Sequence, residues 1–111
     1  MTFDRFDVVV VPFPFTDRAQ QKRRPALVLS NAAFNKQSGH SVMAMITSVG
    51  NAPWPLDVKI SNLKLAGLPA ASVVRMKMFT LDNSFVAARA GRLSKAEQAH
   101  VEQSLANLLS V

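Results

Sequence analysis

Apolar and polar positions alternate along most of this chain with the period of short β-strands, and only the last stretch shifts to the period of a helix. Residues 7–13 (Asp7-Val8-Val9-Val10-Val11-Pro12-Phe13) are a β-branched run, apolar on both faces, which predicts a central strand. Residues 14–21 hold Pro14, Thr16, Asp17 and two glutamines and read as a loop. Residues 25–30 predict a second buried strand, opened by Pro25, which lacks a backbone donor and is tolerated at a strand's first position. A helical turn over 31–35 and a polar loop over 36–40 lead to a third strand, 41–48. There Val42, Ala44 and Ile46 share one face, and Met43, Met45 and Thr47 the other. Residues 50–55 break the chain. A fourth strand, 56–60, turns Val58 and Ile60 inward, and 72–79 sets Val74, Met76 and Met78 opposite Val73, Arg75, Lys77 and Phe79.

At the C-terminal end Ser94 and Glu97 have the spacing of a capping box, in which serine and glutamate side chains satisfy helix-start donors reciprocally. Val101, Leu105, Leu108 and Leu109 follow as a helical stripe, predicting a helix over 95–109 that packs the stripe against the sheet. The expected fold is α+β: a strongly curved, mostly antiparallel sheet with a C-terminal helix.

A length of 111 residues suits one domain with a real core. Hydrophobic content of 49% against 18% charged residues excludes a disordered chain. No apolar run reaches membrane-spanning length, and residues 1–5 lack the pattern of a signal peptide, so a cytoplasmic location is expected. The absence of cysteine rules out disulfides and thiolate metal sites, and His40 and His100 form no metal-binding spacing. Neither a metal nor another cofactor is expected.

A formal charge of +6 and a pI near 10.6 favour a polyanionic partner. The basic residues cluster: Lys22, Arg23 and Arg24 precede one strand, and Arg75 and Lys77 sit two apart in another. Pro25 biases Arg24 towards extended backbone, so this guanidinium stands on a stiffened chain at the rim of a core strand.

The chain offers no Cys–His pair, no Ser–His–Asp set and no glycine-rich phosphate loop, and its carboxylates do not group as acid and base. What remains is Arg24 on one strand with Thr47 and Ser48 at the end of another. An arginine fork and a hydroxyl together hold a phosphate, though arginine beside threonine equally describes a surface ion pair. Such donors stabilise the extra charge of a phosphorane without a metal, each contributing on the order of 3 kcal/mol.

The succession Asp7-Val8-Val9-Val10-Val11-Pro12-Phe13, Arg24-Pro25-Ala26-Leu27-Val28-Leu29-Ser30 and Ala44-Met45-Ile46-Thr47-Ser48 resembles the MazF/PemK family of toxin endoribonucleases. Val73-Val74-Arg75, Thr80-Leu81-Asp82 and the capped helix continue the resemblance over nearly the whole chain. It implies a small SH3-like (MazF/CcdB-type) barrel, a homodimer, cleavage of single-stranded RNA without a metal, and inhibition by an antitoxin covering the RNA groove. It places the family's essential arginine on Arg24 and its essential threonine on Thr47. Lys22, Arg23, Ser48, Arg75 and Lys77 would line the RNA groove.

The chain also departs from the pattern. Ala19 stands where some members carry an acidic residue, Arg75-Met76-Lys77 replaces an Arg-x-Asp arrangement, and Phe79 replaces an arginine. The general base is thus open between Asp17 and His40, each also readable as a solvated loop residue. Lys77 is equally a phosphate ligand or a surface lysine. Trp54 either stacks on a base or anchors its loop or the dimer. Met43 and Met45 line a dimer interface or the core. Phe13 reads as core, Phe15 as an RNA or antitoxin contact, and Arg89, Arg92 and Lys95 as a solvated face. Two alternatives stand beside an RNA-cutting toxin: a catalytically silent relative that binds RNA or antitoxin, and, ranked lower, a CcdB-like gyrase-binding toxin.

Overall fold

Alternation along the strands sorts the apolar residues into two sets, one on each face of a single curled sheet. The computed structural model describes residues 2–13, 22–50 and 52–110. Its strands are β1 (Asp7–Phe13), β2 (Lys22–Val28), β3 (His40–Ser48), β4 (Val58–Ile60), β5 (Ser72–Asp82) and β6 (Ala88–Arg92). The helices are α1 (Ala32–Ser38), α2 (Leu63–Ala66) and α3 (Lys95–Leu109). All paired strands are antiparallel, in the order β4-β5-β3-β2-β1-β6, so the end strands β4 and β6 remain apart.

One face carries Val8, Leu27, Ala44, Ile46, Val74 and Met76 and is closed by Leu93 and by Val101 of α3. The other carries Val9, Val11, Ala26, Val28, Met43 and Leu81, covered by Phe3 with Phe79 and Val86 at its margin. Burial of both faces is why β1 and β2 read as continuous apolar runs. Met43 therefore belongs to the core, while Met45 is half-buried beside the open part of the second face.

β2 begins at Lys22, three residues before the expected start, because β1 pairs with it to its last residue, from Val8↔Leu27 to Phe13↔Lys22. Pro25 consequently sits inside the strand. Pairing with β3 starts only at Ala26↔Met45, so the missing donor of Pro25 falls where that edge of β2 is still unpaired. At the other end β2 stops at Val28, and Leu29 and Ser30 still donate to the Val42 carbonyl. The turn expected over 31–35 is the start of α1, capped by the Asn31 side chain and ended by left-handed Gly39.

Two elements carry no periodic signal. α2 is a single turn, and β6 (Ala88-Arg89-Ala90-Gly91-Arg92) has no apolar alternation. They close the gap between the sheet's ends. A Cβ on Gly91 would stand 2.2 Å from the Leu65 carbonyl oxygen, so α2 rests directly on the β6 backbone. Arg89 and Arg92 are solvated in part, with side chains 51% and 38% exposed, but each also pairs with the buried Asp7 carboxylate, at 3.2 and 2.9 Å.

α3 has the expected bounds and a formed capping box. Only part of its stripe packs, however. Val101 is buried and Leu105 half-buried, whereas Leu108 and Leu109 are 42% and 56% exposed. α3 packs on β4, a strand of three residues, and its last turn carries the two exposed leucines. No helix of the described residues is long and apolar enough to cross a membrane.

Candidate functional site

The second face of the sheet is covered at one end and open at the other, and the basic residues gather at the open end. Side chains on β2 alternate, so Arg24 shares the face of Ala26 and Val28. Ala26 pairs with Met45, and continuing that register by two residues sets Arg24 across from Thr47. Both line a cavity of about 470 Å³ at the end of the sheet, with Ser48, Phe13 and the 68–70 turn completing its walls. Phe13 is not core: it is 39% exposed, at the point where β1 runs beyond the second cluster.

A second cavity of about 370 Å³ lies alongside, lined by Phe13, Met45, Thr47, Arg75, Lys77, Met78 and Phe79. Thr47 belongs to both cavities, so they form neighbouring compartments around one hydroxyl. A register offset shapes this wall: Ala44 pairs with Met78, but the next residue, Met45, pairs with Arg75. The two extra residues of β5, Met76 and Lys77, bend the strand there while leaving its facial alternation intact.

Arg75 has a partner that sequence spacing does not disclose. Its Nε donates to Asp57 Oδ1 at 3.2 Å, and its Nη2 to Asp57 Oδ2 at 2.9 Å and to the Ala52 carbonyl at 2.8 Å. Donation of these hydrogen bonds to the Asp57 carboxylate, and that carboxylate's negative charge, hold the Arg75 guanidinium above its ordinary pKa. Trp54 completes the group: its backbone N–H donates to Asp57 at 3.1 Å, and Lys77 Nζ stands 4.6 Å from its ring centroid. The loop backbone is thus tied to Asp57, and the indole, still 44% exposed, carries a cation–π contact.

The other expected site residues divide by position. Lys22 is exposed on the face of Arg24, whereas alternation sends Arg23 to the opposite face, away from the cavities. His40 starts β3 and Thr47 lies seven residues on, about 23 Å along the strand. His40 is therefore remote from this site within the chain. Phe15 and Asp17 fall outside the described residues. Among the described residues no carboxylate or imidazole lines either cavity.

The family model of the PemK-like, MazF-like toxin of type II toxin–antitoxin systems matches residues 4–109. The crystal structure of MazF from Deinococcus radiodurans is 29% identical and superposes with a TM-score of 0.78, covering 100% of this chain and 99% of that one. A MazE–MazF crystal structure from the same organism is 28% identical, with a TM-score of 0.80 and the same coverage. An endoribonuclease in complex with its cognate antitoxin, from a mycobacterial species, shares the fold at 18% identity and a TM-score of 0.77, covering 99% of this chain and 95% of that one. No curated protein matches the chain.

Proposed function

The chain belongs to the PemK-like, MazF-like toxins of type II toxin–antitoxin systems, and from that premise we propose that it cleaves single-stranded RNA without a metal. The observation that carries this reading is Arg24 and Thr47 on the walls of one open cavity. In the proposed reaction the 2′-oxygen of a ribose attacks the adjacent phosphorus while its proton passes to a base. The bond from phosphorus to the 5′-oxygen breaks, and that oxygen takes up a proton. The products are a 2′,3′-cyclic phosphate and a free 5′-hydroxyl. Arg24 holds the phosphate through its planar fork and stabilises the phosphorane as charge grows on its oxygens. The Thr47 hydroxyl orients the same phosphate from the neighbouring strand.

Lys22 extends the positive face along the RNA backbone, and Ser48 adds a hydroxyl to the rim. The structures of MazF with MazE support an antitoxin as the protein partner, here competing with RNA for the same basic face. Function as a homodimer in the cytoplasm completes the proposal. A second reading, RNA or antitoxin binding without cutting, is favoured by one observation: neither cavity has a carboxylate or imidazole wall among the described residues.

Incubation with long single-stranded RNA in EDTA separates the two readings. Wild type should cut and leave cyclic-phosphate ends, and Arg24→Ala should be slower by a factor on the order of 10²–10³. Arg24→Lys should recover little, since an ammonium cannot replace the bidentate fork. Retention of several unrelated RNAs without any cutting would establish the silent binder instead.

A further inference from the structure

Two observations set Arg75 apart from a phosphate ligand. First, its charge is already answered: the bidentate pair with Asp57 is locally neutral, and the two side chains are only 11% and 17% exposed. Second, three bonds occupy its Nε and Nη2, while no acceptor among the described residues meets Nη1. A guanidinium is planar, so fixing Nε and Nη2 also fixes the plane and direction of Nη1. The result is a rigid donor group, without an acceptor among the described residues, on a side chain that lines the 370 Å³ cavity. The same cavity has apolar walls from Phe13, Met45, Met78 and Phe79, which suit a flat ring better than a solvated anion.

We infer that this cavity seats the nucleobase beside the scissile phosphate, and that Arg75, held by Asp57, donates from Nη1 to a carbonyl oxygen on that base's edge. The inference rests on reading the site as one for RNA. Thr47 links the compartments, so a base in one adjoins a phosphate in the other. Guanine, cytosine and uracil each carry a ring carbonyl oxygen, and adenine has none. The subsite therefore disfavours adenine. Asp57 touches no RNA and is a positioning residue: it aims Arg75 and, by accepting from the Trp54 backbone N–H, holds the loop that carries the indole.

The test needs no catalysis. Trp54 is the chain's one tryptophan, and its ring lies under Lys77, a residue of the cavity wall. Its emission is thus a reporter of occupancy. Short 2′-deoxy homo-oligomers of uridine, cytidine and adenosine cannot undergo 2′-oxygen attack and serve as probes. With wild type, uridine and cytidine oligomers should half-saturate the emission change at roughly tenfold lower concentration than adenosine. Asp57→Asn should erase that preference while oligomers still bind, and Asp57→Glu should restore part of it. A merely structural role for Asp57 would weaken all oligomers alike. Equal half-saturation for all three with wild type overturns the inference, as does an absent response in a protein that cuts long RNA. A clear preference in a protein that cuts no RNA would sink the endonuclease reading and leave the base subsite standing.

Discussion

At the scale of single residues, Glu97 gathers donors from two elements. Its carboxylate accepts from the Ser94 N–H at 3.2 Å in the capping box, and from the N–H groups of Ser61 and Asn62, the latter at 2.9 Å. Burial is the largest influence and opposes ionisation, but the donors of Asn62, Ser61 and Ser94 together outweigh it and hold the carboxyl below its ordinary value of 4.5. A carboxyl depressed in the folded protein contributes stability that is present above its unfolded value. That stability is lost as pH falls through the lower folded value. Wild type should therefore lose stability below about pH 4.5 more steeply than Glu97→Gln, as urea midpoints at pH 7 and pH 3.5 would reveal. Parallel acid limbs would remove Glu97 from this role. Its capping function is legible from the Ser94–Glu97 spacing, because both partners lie within one helical turn. Its grip on Ser61 and Asn62 is not, because those donors are brought in by tertiary packing across 36 and 35 residues. Asp57 escaped sequence reasoning for the same reason, standing 18 residues from the arginine it orients.

At the scale of elements, the join between α2 and β6 is made by backbone. Gly91→Ala places a methyl carbon against the Leu65 carbonyl and Ala66, where nothing flexible can yield. It should destabilise the protein by about 3 kcal/mol through overpacking, seen as a lower urea midpoint. An unchanged midpoint would mean that α2 does not rest on β6. Periodicity made β1, β2, β3, β5 and α3 readable, since each is long enough to show its period. The four residues of α2 complete barely one turn, and the pattern of β6 reflects ion pairs to Asp7 rather than apolar burial. The C-terminal leucine stripe misled in the opposite direction. Its period is helical throughout, but period alone does not say how much of the stripe is covered.

At the scale of the molecule, the charge of +6 acts through its arrangement on one sheet. Lys22 and Arg24 share a face with Thr47, while Arg23 lies on the other side. Lys22→Ala should weaken binding to all single-stranded RNA alike and reduce the slope of log affinity against log salt by about 0.7. Arg23→Ala should leave the slope as it is. Equal slopes for wild type and Lys22→Ala would remove that lysine from the RNA path. Composition points only to a polyanionic partner in general, and the alternation of β2 is what separates one cation of the triplet from its neighbours.

The pairing of Asp7 with Arg92 joins residues 85 positions apart, and this has a bearing on biosynthesis. β1 finds its partner β2 early as the chain emerges, but its other edge, rich in valine, waits for residues 88–92. Until then a bare apolar strand edge is available to any neighbouring chain. Products terminated before residue 88 should accordingly be aggregated or protease-sensitive, as sedimentation and limited proteolysis of such fragments would show. Incomplete synthesis of this protein then yields material for degradation, not a weakened toxin.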